Sequence, residues 1–300
     1  MVDNEGHIMR TKNIILFIVV FVMVGVVFVS TKSWDEGAVL DRATQTFSAP
    51  LRVWVTLDPI GDIIQQVGKE RVTVTTVTSA DEIPDNIVPD LWVLVSEGVD
   101  KWAENIAQQQ DVPFVVLRDD VDITQIDYDA EVGRVSPSAP HYYWLSLHSG
   151  QNMATALARE LAKLEPVNKE LFISNAYSYS LLLAQHQQEF LRSIGNSGNV
   201  KVIALDHYFD EFLHSFELSP VALFNGEAGG EVFDDLSYTT RYYGADVLLV
   251  PDGHATPELY DALDTNAVSV VSVDVFGEGV DDYVTFVRSA VSALLRGVQE

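Results

Sequence analysis

Apolar residues along this chain fall into short, dense runs separated by turn formers, and the spacing inside each run separates strand from helix. Leu51-Arg-Val-Trp-Val-Thr-Leu57 alternates and is rich in β-branched residues, which predicts a strand. Asp58-Pro59-Ile60-Gly61 then opens a helix, with Asp58 as the expected N-cap and Pro59 in its first turn. Ile60, Ile63, Ile64 and Val67 share one face of it, Gly68 ends it, and Arg71–Val77 is a second strand. Such a βαβ unit implies a parallel sheet with a right-handed crossover. Asp90–Val95 and Val112–Leu117 read as further buried strands, with a helix from Trp102 through Gln108 between them. Met153, Leu157, Leu161 and Leu164 form a helical stripe that Glu165-Pro166 interrupts, after which residues 167–193 run on without Gly or Pro. Val200–Leu205, Asp246–Asp252 and Val268–Val273 are buried strands again, with a helical stretch between the last two. Tyr283, Phe286, Val287, Ala290, Val291, Leu294 and Leu295 line one face of a closing helix. Strands alternating with helices make this an α/β chain.

One run departs from that rhythm. Ile14–Val29 (IILFIVVFVMVGVVFV) carries no charge and is apolar on every helical face. It is slightly shorter than the ~20 residues that span a bilayer, and longer than most signal-peptide cores. Phe28 and Val27 precede Ser30 where a signal peptidase needs small residues, so residues 14–30 are expected to be an uncleaved signal anchor, with a cleaved signal as the alternative. Arg10 and Lys12 before the run place residues 1–13 in the cytoplasm and everything after residue 30 outside. Residues 31–50, of mixed charge and no sustained period, read as a linker.

Composition narrows the partners. The net charge of -26, from 44 acidic against 18 basic residues, argues against nucleic acid, whose phosphates need basic patches. It suits a secreted domain or a cation ligand. With no cysteine, disulfides, zinc-thiolate sites, thiol catalysis and a lipid anchor through Cys are all excluded.

A carboxylate at the exit of a parallel strand sits where open α/β sheets place their ligands, and Asp274, after the strand ending at Val273, is such a residue. Asp206 and His207 lie in the turn after Leu205. Asp206 also has the position of a helix N-cap. His141 lies in the Pro140-His-Tyr-Tyr-Trp144 loop, whereas His186, among glutamines, reads as a solvated helix face and His254 as a turn residue. Trp102 and Trp144 are expected in the core, and Asp281 and Asp282 complement a helix dipole. Phe224–Glu231 is Gly-rich but lacks the basic residue and spacing of a phosphate loop.

Several motifs occur in an order that resembles the solute-binding receptors for zinc and manganese that serve ABC importers. They are the strand, turn and helix around Leu57-Asp-Pro-Ile60, then Gly98-Val-Asp-Lys-Trp102, Pro140-His141 with Trp144, Asp206-His-Tyr-Phe209 through Leu218, and Asp274 with the turn at Gly277. The resemblance runs over roughly residues 51–297. It implies two α/β lobes, each a parallel β-sheet flanked by helices, at residues 51–165 and 196–300. A long rigid helix over 166–195 would join them, with the metal cleft between. It further implies Mn²⁺ or Zn²⁺ as ligand, held by His141, Asp206 and Asp274, with His207 able to substitute for Asp206. The expected partner is an ABC permease, the expected state a monomer, and no catalysis is implied.

The sequence also departs from that pattern. Two residues, not one, separate His141 from Trp144, so Tyr142 competes with His141 for the ligand place. The His-bearing loop after the second strand is replaced by Thr78–Asn86, which offers only Asp81 or Glu82. This leaves an alternative, a relative without metal that acts as an adhesin or accessory interaction module. A metal-dependent hydrolase would need an open coordination position and a general base, and no HExxH or Ser-His-Asp arrangement is present.

Overall fold

Nine strands form two wholly parallel sheets in the computed structural model, which describes residues 49–121, 128–132, 142–224, 231–263, 268–280 and 282–299. The first sheet holds β1 (Leu51–Val55), β2 (Val72–Thr76), β3 (Leu91–Leu94) and β4 (Phe114–Val116) in the order β2-β1-β3-β4. The second holds β5 (Ala130–Val132), β6 (Lys201–Leu205), β7 (Ser219–Phe224), β8 (Val247–Pro251) and β9 (Ser269–Val273) in the order β5-β7-β6-β8-β9. The helices are α1 (Asp58–Gly68), α2 (Glu97–Gln109), α3 (Leu147–Leu164), α4 (Lys169–Gly195), α5 (Asp210–Ser215), α6 (Glu231–Tyr243), α7 (Pro257–Ala262) and α8 (Tyr283–Gln299).

Period-two alternation sorts the strand side chains between cores. In the first sheet Val53, Val55, Leu91 and Val93 face inward, whereas Trp54, Trp92 and Leu94 face a satellite cluster with Ala103 and Ala107 of α2. In the second, Val202, Ala204, Val247, Leu249, Val271 and Val273 face inward, and Ile203, Leu205, Leu248 and Val250 pack against Leu236 of α6 and Leu259 of α7. The inward faces of both sheets belong to one continuous core with α1, α3, α4 and α8. Each Val, Leu, Ile or Phe fully buried there contributes about 1.5–3 kcal/mol.

Hydrogen bonds stitch the two halves across this core. Trp144 Nε1 donates to the Val275 carbonyl at 2.6 Å, and Tyr283 OH donates to the Ser146 carbonyl at 2.7 Å. The Tyr283 amide and the Tyr179 hydroxyl both donate to Asp62 Oδ2, at 3.2 and 2.9 Å. Asp58 does not cap its own helix as expected. Leu57 occupies the N-cap position of α1 without a side-chain bond, and Asp58 Oδ2 instead accepts from the Gly279 amide at 3.0 Å. A distant backbone donor has outcompeted the local one.

Two elements depart from the sequence reading. β5 lies within the stretch assigned to the first lobe, yet it pairs with β7 of the second sheet, Ala130 opposite Ala222. β7 itself was not expected as a strand. Pro220 lies opposite Val202, where it has no amide to donate, and the register slips between Val202 and Ile203. The apolar run Ile14–Val29 lies outside the described residues, and among these no helix is long and apolar enough to cross a membrane.

Candidate metal centre

The carboxyl-terminal edge of the second sheet carries the candidate ligands. β6 runs into a 3₁₀ turn, Asp206–Phe209, and then into α5. The backbone of Asp206 begins that turn, and its side chain is outside the described ones. His207 lies one residue on. Its Nδ1 is 2.8 Å from Asp210 Oδ2, and Tyr128 OH donates to Asp210 Oδ1 at 2.7 Å. The Asp210 side chain is wholly buried and that of His207 is 13% exposed. A carboxylate in such a place needs donors on its oxygens, and the phenol and the imidazole N–H supply them. With the proton on Nδ1, Nε2 is the ring nitrogen that has a lone pair for a metal.

Asp274 follows β9 and folds back on its own turn. Its Oδ1 accepts from the amides of Phe276, at 3.1 Å, and Gly277, at 2.8 Å. Gly277 has φ +63°, and a Cβ there would stand 2.6 Å from Pro59 Cγ, so only glycine closes this turn against α1. One oxygen of Asp274 is thus fixed by backbone while the carboxylate stays half-buried. At the exit of β8, between the two, Asp252 accepts from Ser272 Oγ, and His254 is exposed with its ring 6.4 Å from that of Tyr208.

His141 lies outside the described residues, which resume at Tyr142. The Tyr142 amide donates to the Tyr208 carbonyl at 2.9 Å. Its ring stacks on Tyr208 with centroids 5.0 Å apart and meets Phe276 at 5.7 Å. The residue after His141, the residue after His207 and the second residue after Asp274 therefore meet in one aromatic cluster. Burial, with Tyr208 beside it, pushes the Tyr142 hydroxyl up to about 12, so a phenolate ligand at this position is disfavoured at neutral pH.

The remaining candidates have local roles. Glu82 Oε2 accepts from the Thr78 amide and hydroxyl at 2.8 and 2.7 Å, which holds its carboxyl below the usual range, and Asp81 is exposed beside it. His186 pairs with Glu189 on α4. Asp100, the acid of the Gly98–Trp102 motif, is buried and accepts from Thr56 Oγ1 and the amides of Val95 and Ser96. Burial raises its pKa against the pull of those bonds. Among the described residues, no three His, Asp or Glu side chains form a group able to hold a metal ion. Sequence reasoning missed Asp210 and Tyr128. An Asp three residues after a candidate His is a usable signal for the first, but nothing local marks the second.

A model of the family described as zinc-uptake complex component A, periplasmic (ZnuA), matches residues 53–297. The metal ABC transporter substrate-binding lipoprotein ScbA of Streptococcus cristatus is 23% identical over 181 residues, which is 54% of this chain. That match spans 57% of ScbA, so the chain covers little more than half of this curated relative. Among solved structures, FpvC of Pseudomonas aeruginosa in complex with Mn²⁺ superposes with a TM-score of 0.67 at 18% identity, over 83% of this chain and 98% of that one. Zn(II)-bound AdcA of Streptococcus pneumoniae gives 0.60 at 16% identity, over 84% of this chain and 58% of that one. At such identities these structures share the fold. The family match reaches from β1 into the closing helix, far more than half of the sequence, and the chain belongs to the zinc-uptake complex component A family.

Proposed function

We propose that this protein is an extracytoplasmic receptor that captures Mn²⁺ or Zn²⁺ and delivers it to the permease of an ABC importer, without catalysis. The observation that carries this reading is the convergence on the Tyr142 ring of three segments, those bearing His141, Asp206-His207 and Asp274. The names of similar proteins support it, since ScbA is a substrate-binding lipoprotein and FpvC and AdcA are described with Mn²⁺ and Zn²⁺.

In this reading His141, Asp206, His207 and Asp274 supply imidazole nitrogen and carboxylate oxygen, a donor mix that suits zinc and manganese. Asp206 and Asp274 leave strands two places apart in the second sheet, with β8 between them. That is a backbone gap of about 10 Å, which two Asp side chains and one cation with metal–oxygen bonds near ~2.1 Å can close. Tyr142 of the cluster is buried, and a lower local dielectric beside it would strengthen attraction between cation and carboxylates. Ile14–Val29 would tether the protein, as a monomer, to the membrane it serves.

Metal titration during thermal unfolding of the metal-stripped protein tests this. A large, saturable rise in Tm with one ion is expected, and it should be lost in His141→Ala and Asp274→Ala. No shift with either ion, from well-folded protein, sinks the proposal.

A further inference from the structure

We infer that Asp210 is a positioning residue for metal capture, holding the His207 imidazole in the tautomer and orientation that present Nε2 to the ion. The inference rests on the reading of His207 as a ligand. It goes further by assigning a role to a buried acid that the sequence did not single out. The Asp210 side chain is fully buried at the first residue of α5, and both of its oxygens accept from side chains, Tyr128 OH at 2.7 Å and His207 Nδ1 at 2.8 Å. A helix-initiating Asp with a capping role alone sits at the surface and bonds the first amides of its own helix. Taking a carboxylate fully out of water carries a desolvation cost that fold stability does not require, because uncharged packing serves as well or better. The cost is accounted for if the imidazole must be held for a task. A carboxylate on the far nitrogen of a ligand His fixes which nitrogen faces the metal and raises its basicity.

Tyr128 extends the arrangement. It stands two residues before β5, on the stretch that continues to His141, and its ring meets His207 edge-on with centroids 6.2 Å apart. Asp210 therefore fastens the exit of β6 to the segment that leads toward the other candidate imidazole.

The test uses the full chain, with Mn²⁺ and Zn²⁺ each as probe. In metal-free wild type, nitrogen NMR of His207 should show the proton on Nδ1 and none on Nε2. The opposite tautomer overturns the inference without any substitution. Asp210→Asn should weaken binding of the preferred ion by about 10–100-fold and let the two tautomers mix. In the His207→Ala background the same change should add little, the coupling that two parts of one device must show. Tyr128→Phe, which keeps the carboxylate, serves if Asp210→Asn does not fold, and it too should weaken binding and disturb the His207 tautomer. If His207→Ala weakens binding while Asp210→Asn binds as wild type does, Asp210 has no positioning role. If His207→Ala itself binds normally, the ligand role of His207 and this inference fall together. Whether the protein is a metal receptor at all is decided separately, by the wild-type titration.

Discussion

Glu165 shows how much of this fold turns on single side chains with distant partners. It closes α3 and is paired with Arg71 before β2, with Arg71 Nε at 3.0 Å from Oε2, and both groups are largely buried. Burial on its own raises the Glu165 carboxyl, but its bonds to Arg71 and Asn168 outweigh that and hold it below the ordinary value of 4.5. A carboxylate lowered by folding stabilises the protein above its unfolded pKa, and the gain fades as pH falls through the lowered folded value. Arg71→Ala should therefore cost about 3 kcal/mol at neutral pH by leaving a buried charge unpaired. The stability gap between wild type and Glu165→Gln, followed by urea unfolding, should shrink as pH drops below about 4. A gap unchanged down to pH ~3 would contradict this account. Gly150 offers a steric counterpart. A Cβ there would stand 2.4 Å from Tyr283 Cε1, so Gly150→Ala should lower stability by about 1–3 kcal/mol. None of these pairings was legible in the sequence. Asp58 had an adequate local role as a cap, and only the folded chain brings the Gly279 amide within its reach.

Elements were easier to read where the pattern repeated. The strands at Leu51, Val72, Leu91, Phe114, Lys201, Val247 and Ser269 and the helices at Asp58, Leu147 and Tyr283 lie where the apolar runs and stripes put them, and the helix at Lys169 lies where the stretch without Gly or Pro did. β5 has three residues and β7 contains Pro220, so neither carries enough alternation to stand out, and α6 follows a Gly-rich stretch that dominates the local signal. The long helix α4 is fixed to α1 by polar bonds as well as by packing. Asn175 Nδ2 donates to the Val67 carbonyl at 2.9 Å, and Tyr179 bonds Asp62, which also receives the first amide of α8. Asp62→Ala leaves the Tyr179 hydroxyl and the Tyr283 amide without that acceptor, and we expect a loss on the order of 3 kcal/mol. Hydrogen exchange should then speed up in α1, the middle of α4 and the start of α8 together. Acceleration confined to α1 would show that the three helices are not joined through this carboxylate. The candidate site was legible in the same uneven way. A strand exit marked Asp274, and the order of motifs marked Asp206 and His207 as candidates, but the Asp210–Tyr128 partnership depends on a contact between residues 82 apart in the chain.

At the scale of the whole molecule, two sheets share one core. The inward faces of both belong to a single cluster with α1, α3, α4 and α8, and Trp144, Tyr179 and Tyr283 bond across it. Calorimetry should accordingly record one cooperative transition for the folded region, with calorimetric and van't Hoff enthalpies equal, and two resolved transitions would mean that the lobes are energetically separate. The pairing of β5 with β7 has a consequence for how the protein is made. Ala130 leaves the ribosome long before Ala222, its partner in the sheet, and at about 5–20 residues per second the wait is on the order of 5–20 s. Throughout that interval the earlier strand has no place to dock, and a first half released alone would leave β5 without its partner strand. β5 stays unpaired until β7 has been made, so a factor that shields the waiting segment during synthesis or export should raise the yield of folded protein.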